Sequence, residues 1–142
     1  MARLTPAVLM MISARHAEAR VYDAMIAAGY DVTMAQVRLA AQIGEDGTRL
    51  TELAQRARVT KQSASQLVDQ LEQSGWVERV PDPADARAKL VRLAPRAREV
   101  QELARREERA IEREWTRHLG AERMRALREA LEDLREITDP YL

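Results

Sequence analysis

The sequence has no cysteine, which removes disulfides, thiolate zinc sites, iron–sulfur clusters and a cysteine nucleophile together. It has only two histidines, His16 and His118. Glu114 and His118 stand one helical turn apart, as two metal ligands could. No further ligands are identifiable, and the helix dipole favours a histidine near a helix C-terminus anyway. No glycine-rich phosphate loop, nucleophile elbow or zincin motif occurs. The carboxylates alternate with arginines at helical spacing, as solvated faces do. No enzyme, metal site or cofactor is therefore expected. Long apolar runs are missing too. The longest near the start, Ala7 to Ile12, is too short to span a bilayer and has no small-residue cleavage site. Neither a signal peptide nor a membrane anchor is expected, and the cytoplasm is the default compartment.

The chain also lacks an excess of either charge: 23 basic and 23 acidic side chains give a formal net charge of zero. Taken alone, that argues against a nucleic-acid partner. The distribution argues the other way. Residues 49–98 carry ten basic and six acidic side chains, whereas both flanking segments are net acidic. What is abundant is helix-forming residues. With 142 residues, 46% hydrophobic and 32% charged, one soluble, mainly α domain is the simplest expectation.

Thr5-Pro6 reads as a helix start, and Val8, Ile12, Ala19, Tyr22 and Ile26 keep an apolar stripe until Gly29. A second helix should run from Thr33 to near Gly44, with "GEDG" as a turn. Thr51 should cap a third helix that ends near Val59. Thr60 should cap a fourth, in which Ala64, Leu67, Val68 and Leu71 follow the spacing of a buried face. "WVERV" (Trp76 to Val80) and "KLVRL" (Lys89 to Leu93) are the only plausible strands. Pro81 and Pro83 should stop their pairing and push the loop outward. Long helices over about 96–118 and 121–137 complete the chain.

Two short helices joined by a brief turn, then a two-stranded ribbon, is the order of a winged helix-turn-helix. The fourth helix places Thr60, Lys61, Gln62, Ser63, Ser65 and Gln66 in its first two turns, residue types that suit base edges in a major groove. An ordinary solvated helix face would look similar. The ribbon tips the balance. Arg87 on its loop could enter a narrow minor groove with Asp85 orienting the guanidinium, and Arg79 and Lys89 add charge along the strands. Asp69 and Glu72 fit DNA poorly and must lie away from the bases or pair with arginines. The competing reading is a helical dimer whose winged domain binds protein, which should expose aromatics or leucines on these elements. None is visible.

Leu50 to Ala97, "LTELAQRARVTKQSASQLVDQLEQSGWVERVPDPADARAKLVRLAPRA", resembles the DNA-binding core of the MarR family of bacterial transcriptional regulators. The family's Asp-x-Arg wing and following Val/Leu strand correspond to Asp85, Arg87 and "KLVRLAP". Ala94 replaces the usual threonine and Ala97 the frequent glycine, which puts the entry into the next helix in doubt. The flanking helices fit the same plan, with a winged core at about 33–95 and dimerisation helices at about 5–28 and 96–137. The resemblance implies an intertwined helical homodimer on double-stranded DNA at a pseudo-palindromic operator. It also implies repression relieved by a signal. The apolar seams of residues 96–137 favour pairing on their own account. Without cysteine, thiol oxidation is not that signal. Met11, Arg15, His16, Arg20, Tyr22 and Tyr30 would suit a small aromatic or anionic effector.

Overall fold

The computed structural model describes residues 2–142. Its elements are α1 (Pro6–Ala27), α2 (Met34–Ala40), α3 (Leu50–Ala57), α4 (Lys61–Gln73), β1 (Val77–Asp82), β2 (Asp85–Leu93), α5 (Ala97–Leu119) and α6 (Ala121–Thr138). Three of the starts are capped by the expected threonines. Thr5 and Thr60 accept from Val8 N–H and Ser63 N–H, and Thr33 forms a full capping box with Gln36.

The fourth expected cap is not used. α3 begins at Leu50 with Arg49 at the N-cap and no side-chain cap bond, so Thr51 lies inside the helix. The cause is upstream. Thr48 exchanges two backbone hydrogen bonds with Val91, at 2.8 and 2.9 Å, and forms a one-residue bridge at the edge of β2. The chain leaves that bridge straight into the helix. α2 is shorter than its sequence suggests, because Gln42 and Ile43 N–H groups bond to carbonyls three residues back and tighten the turn.

The hairpin is longer than expected. Val77 pairs with Leu93 and the ladder continues through Pro81 opposite Lys89, with an irregularity between Pro81 and Asp82. Proline does not end it because both strands are edges of a two-stranded sheet. Alternate N–H groups point away from the partner, and losing one there costs no ladder bond. Pro83 falls in the turn between the strands.

Contacts divide the chain into two compact units, Met1–Ala104 and Arg105–Leu142. The first holds the main core. Leu39, Leu53 and Val68 are its largest fully buried side chains, joined by Ala54, Ala64, Leu71, Trp76, Val77 and Val91. Met25 is the buried residue of α1, and Glu18 of α1 makes a two-pronged ion pair with Arg38 of α2, at 2.6 and 2.9 Å. That pair holds the Glu18 carboxyl below its usual range. Tyr22 donates from its hydroxyl to the Val32 carbonyl at 2.9 Å. The N-terminal part of the α1 stripe stays open: Val8, Leu9, Met10, Met11 and Ile12 are all exposed.

In the second unit Ile111 is buried, Gly120 makes the turn, and Arg128 of α6 pairs with Glu112 of α5. α6 has no buried residue, and Leu131, Leu134 and Ile137 are exposed.

Leu53 is wholly inaccessible to solvent. Leu53→Ala should destabilise the first unit by about 2–5 kcal/mol, the usual range for such a core truncation. Urea denaturation checks this, and an unshifted midpoint would contradict the packing described.

Candidate nucleic-acid interface

α4 has two unlike faces. Ala64, Val68 and Leu71 are buried, and the small Ala64 lets neighbouring backbone approach closely. The outward residues Lys61, Gln62 and Gln66 are exposed, and Ser65 is half-buried. None of these four has a hydrogen-bond or ion-pair partner among the described residues. Thr60 and Ser63 are occupied differently. Thr60 Oγ1 accepts from Ser63 N–H at 3.0 Å and donates to Ser63 Oγ at 2.9 Å, so both hydroxyls belong to the cap. The polar row ends at Gln70, whose side-chain oxygen accepts from Gln36 of α2.

Arg79 sits beyond that row and is committed. Its Nη1 donates to Glu72 at 2.7 Å and its Nη2 to Asp69 at 2.8 Å. Asp69 and Glu72 are thus paired with an arginine, one of the two placements expected of them. One guanidinium ties β1 to the outer face of α4.

α4 itself ends where Gly75, at φ 78°, permits a left-handed turn. Trp76 follows and packs edge-on against Tyr30, with ring centroids 5.7 Å apart. Arg96 lies 4.0 Å above the Trp76 ring and donates to the Ser74 carbonyl.

The hairpin is braced from below. Arg49 donates to Asp82 at 2.7 Å, and Asp82 accepts with its other oxygen from Ala84 N–H at 2.9 Å. The backbone hydrogen bond and then the arginine hold the Asp82 carboxyl below its usual range. Across the strands Arg92 faces Glu78 and pairs with it at 2.7 Å. At the tip Asp85 accepts from Arg87 N–H at 3.0 Å, while the guanidinium stands 4.0 Å away and 98% exposed. Lys89 is exposed and unpartnered among the described residues.

These contacts sort the positive middle segment. Arg49, Arg56, Arg79 and Arg92 are matched by carboxylates. Arg58 and Lys61 at the α3–α4 turn, Lys89 on the hairpin and Arg98 on α5 have no partner among the described residues, and Arg87 has only the 4.0 Å approach to Asp85. Sequence reasoning missed Arg58, Arg49 and Thr48. Arg58 could have been found, because a helix stop without glycine lies directly before a capping threonine.

The family model described as the MarR family matches residues 30–88. That span holds α2, α3, α4, β1 and the hairpin tip. Over that span the chain is similar to the MarR family. Solved structures share the fold over a longer span. The transcriptional regulator Tm0710 from Thermotoga maritima is 26% identical, with 94% of this chain and 92% of that one aligned and a TM-score of 0.67. Wild-type MarR from E. coli in its apo form is 22% identical, over 94% and 98%, with a TM-score of 0.74. The Multiple Antibiotic Resistance Repressor, MarR, is also 22% identical, over 94% and 96%, at 0.76. A search of curated proteins finds no match.

Against the MarR-family pattern, the two alanines after the wing are accommodated. Ala94 N–H bonds to the Trp76 carbonyl, and Ala97 is buried at the start of α5. The residues suited to an effector are not all free. Tyr22 and Tyr30 spend their hydroxyls on Val32 and Glu99, whereas Met11, Arg15 and His16 are exposed on α1, and Arg20 is half-buried.

Asp82 gives the wing a pH dependence. Its carboxyl titrates below its unfolded value, so its contribution is fully present above about pH 4 and is lost as pH falls through the folded value. Wild type should exceed Asp82→Asn in stability by a constant margin near neutrality, and the margin should shrink below about pH 4. A margin that grows on acidification would have the wrong sign for this brace.

Proposed function

We propose that the protein is a dimeric, sequence-specific DNA-binding transcriptional regulator that acts as a repressor. The observation that carries this is where uncommitted polar and cationic groups remain. Gln62, Ser65 and Gln66 are free on the outer face of α4, flanked by Arg58 and Lys61 and followed by Arg87 and Lys89 on the hairpin. Glutamine can read adenine bidentately in the major groove, and an exposed arginine suits a narrow minor groove. Lysine and arginine without internal partners suit phosphates. The reading of the winged domain as a protein-binding module needs exposed apolar anchors. Among the described residues, no large exposed hydrophobic lies between Thr60 and Pro95.

Pairing is supported by the apolar side chains one copy leaves open, in α1 at Val8 to Ile12 and in α6 at Leu131, Leu134 and Ile137. A two-fold partner would cover such surfaces and present two copies of α4 to an inverted repeat, with half-site centres roughly 10 bp apart. An aromatic or anionic ligand at Met11, Arg15, His16 and Arg20 would release the DNA by favouring a different spacing of the two copies.

Selection of bound fragments from a genomic DNA pool tests the reading. An inverted repeat should emerge, and affinity for it should fall steeply with salt. Gln62→Ala or Gln66→Ala should relax preference at particular base pairs, at about 1–3 kcal/mol for a bidentate contact. Arg87→Ala should weaken binding through the flanking positions. Recovery of no sequence, or binding indifferent to salt, would refute the proposal.

A further inference from the structure

Three helices of the first unit end on the same pair of backbone hydrogen bonds. In α1, Gly29 N–H bonds to the Ile26 carbonyl and Tyr30 N–H to that of Met25. In α4 the pairs are Gly75 with Glu72 and Trp76 with Leu71. In α3 they are Arg58 with Gln55 and Val59 with Ala54. This closure requires a left-handed residue at the first position of each pair. Gly29 and Gly75 supply it at φ 89° and 78°. Arg58 supplies it at φ 54° and ψ 44°, the one positive φ outside glycine among the described residues.

A Cβ makes that conformation unfavourable, and arginine is not among the residue types enriched there. The closure of α3 accounts for the left-handed backbone, but nothing inside the protein accounts for an arginine there. The Arg58 side chain is exposed and has no hydrogen-bond or ion-pair partner among the described residues, although four neighbouring arginines each hold a carboxylate. Its place is specific. It lies two residues before the Thr60 cap, at the end of α4 that carries Lys61 and Gln62. Strain kept where glycine would relieve it points to a use for the side chain, and such strain gathers at ligand contacts.

We propose that Arg58 grips a DNA backbone phosphate beside the first turn of α4, from a backbone position that glycine would adopt with less strain. The inference rests on the DNA-binding reading above. A guanidinium fork fits phosphate oxygens in two-pronged fashion and reads no base identity. It would fix how α4 is seated in the groove while Gln62 and Gln66 read the sequence.

The test uses the full chain and the DNA fragment that wild type selects, with Arg58→Gly and Arg58→Lys as variants. Arg58→Gly should melt no lower than wild type. Its plot of log affinity against log salt should be shallower by about one for each copy bound, because one fewer counterion is released. Arg58→Lys should keep most of the wild-type salt slope, and both variants should select the same sequence as wild type. A wild-type slope in Arg58→Gly would overturn the proposal. So would a lower melting temperature or failure to fold, which would make the arginine structural, and so would an altered selected sequence, which would make it a base contact. Failure of wild type to bind any DNA would instead bring down the functional reading, and this inference with it.

Discussion

A helix can lend its outer face to another molecule only while its inner face is held, and α4 is held by very little surface. Ala64, Val68 and Leu71 do the packing, and the first two are completely inaccessible to solvent. Because these contacts are small and close, α2 and α3 support α4 without covering its other side. Arg79 then fixes the C-terminal half from outside by gripping Asp69 and Glu72. Packing below and one guanidinium above leave Lys61, Gln62 and Gln66 uncovered on the first two turns.

The same economy governs the charges. A net charge of zero conceals a division between matched and unmatched groups. Exposed ion pairs contribute little to stability, and Arg92 with Glu78 fits that description. Their larger effect is to cancel one another's fields. The unmatched cations of the middle segment lie at the α3–α4 turn, on the hairpin and at Arg98 of α5, a concentration that the net charge does not reveal.

Much of this was legible from the residues. The buried spacing of α4, the caps at Thr5, Thr33 and Thr60, the hairpin and the MarR-like wing all rest on local signals: period, hydroxyl position and turn chemistry. What escaped was set by residues distant in sequence. Thr48 is drawn to Val91, and that displaces the start of α3 from Thr51 to Leu50. Arg79 reads as one more basic residue on a strand until the fold sets it beside two carboxylates. Pro81 reads as a strand breaker because sequence does not say which N–H groups face outward. The tyrosines on and after α1 look available until Val32 and Glu99 are seen to take their hydroxyls.

The brace between Arg49 and Asp82 joins residues 33 apart in the chain. Closing a loop of that length costs entropy that only the finished contact repays. The hairpin's own ladder is local, so this contact does not make the hairpin but ties it to the start of α3. Of the two parts proposed to meet DNA, α4 is held by its own packing, whereas the tip of the wing is held to the rest of the unit through the carboxylate of Asp82.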